Sequence, residues 1–144
     1  MDERPGSKPW QPKPFSVAVL DSDAYLADTL CGLLRDSGFV ASAFYDIASL
    51  LQAHQTTRFD AYVLDYLADW LPQSRALENL IGSIRGSTDG NVPIFVLGNQ
   101  TAPERIERLE NIIMRYKVRY VLKPLRASYL AKRIGEALAR HAGL

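Results

Sequence analysis

The chain has 144 residues and a formal net charge of +1, from 17 basic and 16 acidic residues. It is 47% hydrophobic and 23% charged, which is typical of one soluble globular domain. The balanced charge gives no long-range reason to expect nucleic acid or an anionic membrane as the main partner. One cysteine, Cys31, excludes an internal disulfide, and no apolar run approaches the roughly 18–20 residues of a membrane span. We therefore expect a cytoplasmic protein that neither enters a membrane nor binds nucleic acid directly.

Residues 1–14 contain four prolines and lack hydrophobic periodicity. This composition predicts a flexible, Pro-rich leader. The sequence from residue 15 to residue 144 is expected to form one domain.

After the leader, short apolar runs alternate with segments of helical periodicity. The runs are Ser16–Leu20, Val40–Phe44, Ala61–Leu64, Pro93–Leu97 and Tyr120–Leu122. Their length and β-branched content predict strands, and the wholly apolar ones favour burial on both faces of a parallel sheet. Between them apolar residues recur at helical spacing, and the third helix, around Ser74–Ile84, has the weakest pattern. The alternation predicts an α/β fold, a doubly wound five-stranded parallel sheet of the (βα)5 type.

Helix boundaries carry their own signals. Asp23 is expected to cap the first helix and Asp46 the second, because carboxylates at these positions accept backbone N–H groups. Gly38 stands where a glycine commonly follows a helix. Thr101, followed by Pro103, marks a start for the fourth helix.

Residues at positions that could form a reactive site follow the predicted strands. Asp21 follows the first strand, Asp65 the third, Gly98 the fourth and Lys123 the fifth. In a doubly wound sheet these positions converge on one crevice. Two carboxylates can bind Mg²⁺, which prefers oxygen ligands, and a carboxylate such as Asp65 can attack phosphorus to form an acyl phosphate. Lys123 would supply positive charge to the phosphoryl oxygens.

The segments that carry this pattern resemble the receiver domain of bacterial two-component response regulators. They are VAVLDSDAYL (17–26), FDAYVLDYL (59–67), VPIFVLGN (92–99) and RYVLKPL (119–125). The resemblance extends from about Phe15 to the C-terminus and implies the flavodoxin-like receiver fold.

The resemblance also implies roles for individual residues. Asp65 would be the phospho-acceptor and Lys123 would contact the phosphoryl group. Mg²⁺ would be bound by Asp21, Asp65 and the backbone carbonyl of Leu67. Tyr120, three residues before the lysine, matches the aromatic switch position of the family.

Partners follow from the same resemblance. A histidine kinase or phosphotransfer protein would donate the phosphoryl group, and an output domain or effector protein would respond, with transcription as one such output. The fourth helix, fifth strand and fifth helix would form a homodimer surface. The protein would be a signal-transduction module in a phosphorelay and not an enzyme.

Two positions depart from the family pattern. Ser22 stands where the family has a second metal-binding acid, and Gly98 stands where it has threonine or serine. That hydroxyl couples phosphorylation to the switch residue. These departures indicate an atypical or pseudo-receiver, with slow or absent phosphorylation and regulation through protein–protein contacts.

Other interpretations of the same residues stay open. Asp65 could cap a helix, Lys123 could be an exposed strand-end lysine, and Tyr120 could be a packing residue. An enzyme is the competing class, because Asp21 and Asp23 after an apolar strand resemble the start of haloacid-dehalogenase-type phosphatases, as nucleophile and acid/base. Tyr25 does not match that motif.

Overall fold

The computed structural model describes residues 13–66, 75–87, 91–99 and 103–141. Within them five strands alternate with five helices, as predicted. The strands are β1 (Ser16–Leu20), β2 (Val40–Phe44), β3 (Ala61–Asp65), β4 (Ile94–Gly98) and β5 (Arg119–Leu122). The helices are α1 (Ala24–Asp36), α2 (Ile47–Thr56), α3 (Ala76–Arg85), α4 (Pro103–Tyr116) and α5 (Ala127–His141).

The strands form one parallel sheet in the order β2-β1-β3-β4-β5. This confirms the doubly wound, flavodoxin-like architecture. The chain moves from β1 outward to β2 and then crosses back to β3 on the other side of β1. A crevice opens where the direction of winding reverses, at the carboxyl ends of β1 and β3. Asp21 directly follows β1, and Asp65 is the last residue of β3.

Apolar side chains on the two faces of the sheet build two core layers. One layer packs Tyr62 and Val96 against α2, α3 and α4. The other packs Val63 and Phe95 against α1 and α5. Both β3 and β4 are buried along their whole length, which explains why their sequences are apolar throughout.

The capping predictions are confirmed. The Asp23 carboxylate accepts the N–H of Leu26 at 3.2 Å, and the Asp46 carboxylate accepts the N–H of Ser49 at 2.7 Å. Gly38 has φ +99°, the left-handed backbone that favours glycine after a helix.

Several predictions lie outside the described residues. These are Leu67, Thr101 and most of the leader, so the domain boundary near residue 15 stays a prediction. None of the described helices is long and apolar enough to cross a membrane.

Candidate functional site

Asp65 is the only buried charged residue in the part of the chain that the structure describes, with 3% exposure. It ends β3, beside Leu97 of β4. An ionised carboxylate in such a position is strongly disfavoured unless a partner compensates its lost hydration. The sequence predicted it as the residue after the strand, and the structure places it as the last residue of the strand.

Lys123 supplies that partner. Its Nζ donates to Asp65 Oδ1 at 2.5 Å, and its side chain is 27% exposed. The backbone N–H of Lys123 donates to the carbonyl of Gly98 at 2.8 Å, which fixes the lysine beside the end of β4. The peptide bond between Lys123 and Pro124 is cis. The predicted pairing of strand ends therefore exists as a direct, part-buried ion pair.

Asp21 lies in the same crevice as Asp65 and Lys123. Its N–H donates to the carbonyl of Phe44 at 3.0 Å, and its Oδ1 accepts the N–H of Asp23 at 2.9 Å. Burial is the main cause that raises the pKa of Asp21 above its ordinary value, and the negative charge of Asp65 raises this pKa further. The hydrogen bond from the Asp23 N–H and the positive charge of Lys123 both lower it, but only in part. Asp21 thus feels the charges of both Asp65 and Lys123, and the structure brings the three predicted side chains into one crevice.

The donor chemistry of this crevice fits Mg²⁺. Asp21 and Asp65 offer two carboxylates, and Mg²⁺ in proteins is commonly bound by one or two carboxylates together with water. A cation there would also relieve the repulsion that raises the pKa of Asp21. Leu67, the third predicted ligand, lies outside the described residues. Among the residues described, no cluster of three or more His, Cys, Asp or Glu side chains forms a metal site.

The two residues after Asp21 are Ser22 and Asp23. Ser22 is exposed in the turn after β1. The Asp23 carboxylate is engaged as the cap of α1 through the N–H of Leu26. The same engagement weighs against Asp23 as the acid/base of a phosphatase.

Gly98 and Tyr120 are packed directly against each other. Tyr120 pairs with Val96 in the β4–β5 register, and its ring lies beside Gly98 at the end of β4. A Cβ atom on residue 98 would lie 3.0 Å from Tyr120 Oη, 3.3 Å from Tyr120 Cε1 and 3.2 Å from the Cβ of Tyr66. The tyrosine hydroxyl therefore occupies the space that a side chain at position 98 would need. Sequence reasoning noted both positions but not this contact, which depends on the register of two distant strands.

An apolar groove borders the crevice. It lies between α1 and the start of α5, has a volume of about 370 Å³, and has Asp21 and Lys123 at one end. Leu26 and Leu33 line it and remain 47% and 45% exposed. This groove could not be predicted from the sequence, although α1 carries more leucines than one buried stripe requires.

No protein-family model and no curated protein matches the sequence. A putative response regulator from Chloroflexus aurantiacus has a similar structure, with a TM-score of 0.71 and 24% identity over 89% of this chain and 100% of that chain. The receiver domain of the Francisella response regulator 1452 has a TM-score of 0.68 and 22% identity, over 88% and 98% of the two chains.

A third similar structure is the CheY-like receiver domain protein from Methanospirillum hungatei, with a TM-score of 0.73 and 15% identity over 90% of this chain and 98% of that chain. The chain therefore has the fold of response-regulator receiver domains, as its motifs predicted. At these identities the likeness establishes the fold alone.

Proposed function

We propose that the chain is a signal-receiver module of the response-regulator type, with Asp65 in the phospho-acceptor position. The observation that carries this proposal is the buried carboxylate of Asp65, held by Lys123 at the switch point of the sheet, with Asp21 close enough to be repelled by it. A helix cap or an exposed strand-end lysine needs neither the burial nor the ion pair.

Phosphoryl transfer to Asp65 would form a carboxyl–phosphate bond and release the donor's leaving group. Bound Mg²⁺, held by Asp21 and Asp65, would neutralise negative charge on the phosphoryl oxygens. Lys123 would turn from the carboxylate toward the new phosphoryl group, because the carboxylate gives up its own negative charge when it becomes the acyl phosphate, a mixed anhydride, and the phosphoryl oxygens carry the charge instead. The crevice thus contains a nucleophile, a charge partner and a cation ligand.

We further propose that this receiver is atypical. With Ser22 in place of an acid, the described metal ligands are two carboxylates, so Mg²⁺ binding and phosphorylation are weak. Gly98 offers no hydroxyl to a phosphoryl group, and the Tyr120 ring already fills the space beside it. The hydrogen bond that a hydroxyl at position 98 would make to the phosphoryl group is worth about 1.5–3 kcal/mol, as is typical of a hydrogen bond to a charged group. Shifting a two-state switch from 1:99 to 99:1 takes about 5.5 kcal/mol, so the loss of this bond weakens switching considerably. Signalling would then depend chiefly on protein–protein contacts.

The apolar groove supports a protein as the phosphodonor or binding partner. Any protein that brings a phosphohistidine to Asp65 must cover the crevice, and the groove that Asp21 and Lys123 also line exposes Leu26 and Leu33 along α1. A histidine kinase or phosphotransfer protein with an apolar helical face fits this groove. An output domain or effector would respond to the same module.

The proposal is tested by incubating the protein with acetyl phosphate and Mg²⁺ and separating the products on Phos-tag gels. We expect a minor shifted band, or none, in the wild type, no band in Asp65→Ala, and wild-type behaviour in Asp36→Ala, which removes an exposed acid at the end of α1. A strong shift that is lost in Asp65→Ala would contradict the atypical assignment while supporting the acceptor position. A shift that survives in Asp65→Ala would contradict the acceptor position itself.

We also propose a homodimer through α4, β5 and α5. Each of these elements exposes a large apolar side chain: Met114 is 81%, Leu122 62% and Tyr129 47% exposed. Burying such side chains against a second copy would remove their apolar surface from water, which favours association. Light scattering after size exclusion should give a dimer mass for the wild type and a monomer mass for Met114→Glu. A monomer in both would contradict the dimer.

A further inference from the structure

The apolar groove beside the crevice follows most of the length of α1. Leu26 lies in the first turn of this helix and Leu33 in the last, so their positions are about 10 Å apart at the rise of an α-helix. Both leucines line the groove, and both are almost half exposed. Because burial of apolar surface stabilises a fold, a segment that covers these leucines would be held there.

The chain enters β1 next to the Leu33 end of this groove. The carbonyl of Phe15 accepts the N–H of Val40 at 2.9 Å, and the neighbouring Phe39 donates its N–H to the carbonyl of Leu34 at 3.1 Å. These two hydrogen bonds hold the start of β1 close to the last turn of α1. The Phe15 side chain packs into the core layer that α1 and α5 cover. The residues before Phe15 therefore begin near Leu33, at the sheet face that carries the groove.

The segment before the described residues is long enough to reach the groove. It comprises residues 1–12, and Trp10 is its one aromatic residue. Trp10 stands five residues before Phe15, which gives an extended reach of at most about 17 Å. This reach exceeds the distance of about 10 Å between the two ends of the leucine row, so the indole can reach the Leu33 end and extend along the groove. Prolines on both sides of Trp10 reduce the conformational freedom that the segment loses on docking.

We propose that the segment before Phe15 folds back along α1 and places Trp10 in this groove as an intramolecular cover. A tryptophan buries about 150–250 Å² and can leave its indole N–H in water, which suits an apolar groove of about 370 Å³ that is open to solvent. The short tether gives Trp10 a local concentration of about millimolar order, which favours it over a separate protein. Because Asp21 and Lys123 also line the groove, the cover narrows access to the crevice. The docking itself needs no phosphorylation, and only its effect on a phosphodonor rests on the proposed function.

The test follows leucine methyl groups by NMR in the full-length protein, because an indole ring displaces the resonances of the methyl groups that it contacts. We expect the methyl resonances of Leu30 and Leu33 to differ between the wild type and Trp10→Ala, while those of Leu122 on β5 stay in place. Leu33→Glu should abolish the Trp10-dependent displacement at Leu30 and return the Trp10 indole N–H resonance to its position in the urea-unfolded chain. This variant should fold, because Leu33 is already 45% exposed.

The matched control is Met114→Glu, which replaces an exposed apolar side chain on α4, at the opposite face of the sheet, and should leave the displacement unchanged. A displacement that is independent of protein concentration and is lost in Trp10→Ala and Leu33→Glu supports the cover. Methyl resonances that are identical in the wild type and Trp10→Ala would overturn it, as would an equal loss in Met114→Glu. A displacement that weakens on dilution would assign the covering segment to a second copy and would also overturn the proposal. Neither Mg²⁺ nor a phosphodonor is present, so failure of the function proposed for Asp65 leaves this result intact.

Discussion

The contact between Gly98 and Tyr120 can be tested by adding one methyl group. Gly98→Ala would place a Cβ atom 3.0 Å from Tyr120 Oη and 3.2 Å from Tyr66 Cβ. The tyrosine hydroxyl is the end of a movable side chain, but the Cβ of Tyr66 is fixed to the backbone. Overpacking of this kind costs about 1–3 kcal/mol. Replacing glycine within a strand returns about 0.5–1 kcal/mol, so the net loss of unfolding free energy should be about 0.5–2 kcal/mol.

For a chain of this size, 1 kcal/mol corresponds to about 2–4 °C, so Gly98→Ala should melt about 1–8 °C below the wild type. Calorimetry and urea denaturation measure this. The control is Gly32→Ala in α1, where an added Cβ meets nothing within 4 Å, and it should stabilise the protein by about 0.5–1 kcal/mol. In a Tyr120→Phe background, which lacks the hydroxyl, the Gly98→Ala loss should shrink. An unchanged or raised melting temperature in Gly98→Ala would refute the packing described here.

Three further predictions concern charged and polar groups. Lys123→Met should destabilise the fold by about 3 kcal/mol in urea denaturation, since removing one partner of a buried pair leaves Asp65 uncompensated, and Asp65→Asn in the same chain should recover most of the loss. Because the folded pKa of Asp21 is raised, the folded state holds its proton longer than the unfolded chain does, so Asp21 lowers stability as the pH rises above 3.8. Asp21→Asn should therefore raise the melting temperature at pH 7 without Mg²⁺, and the melting temperature of this variant should fall less than that of the wild type between acid and neutral pH. A lower melting temperature than the wild type at pH 7 would contradict the repulsion between Asp21 and Asp65. Burial raises the pKa of Tyr62 to about 12, so the unfolded chain loses this proton first and stability should fall as the pH rises from about 10. Tyr62→Phe should lessen that fall in alkaline melting curves, and an identical fall in the variant would exclude Tyr62 as its source.

Much of the fold could be predicted because its signals are local. The buried strands are apolar along their whole length, and Asp23, Asp46 and Gly38 mark helix ends through their own backbone preferences. Asp65 and Lys123 could be paired in advance because parallel strands bring their carboxyl ends to one edge of the sheet.

The rest depends on how distant elements pack. The helical spacing of apolar residues predicted a helix after β1 but not which face of α1 is buried: Ala27 and Cys31 are buried, while Leu26 and Leu33 stay exposed. The Tyr120 ring fills the space beside Gly98 because of the β4–β5 register and the side-chain conformation of Tyr120. The spacing of apolar residues in the sequence predicts neither of these.

We propose that phosphorylation at Asp65 is poorly coupled to the position of Tyr120. Beryllofluoride with Mg²⁺ mimics an acyl phosphate on an aspartate, and the Tyr120 ring resonances can be followed by NMR in the wild type and in Asp65→Asn. We predict that the Tyr120 resonances stay in place in both proteins, because Gly98 provides no hydroxyl to transmit the change and the ring is already seated against it. A large shift of the Tyr120 ring in the wild type that is absent in Asp65→Asn would contradict this account.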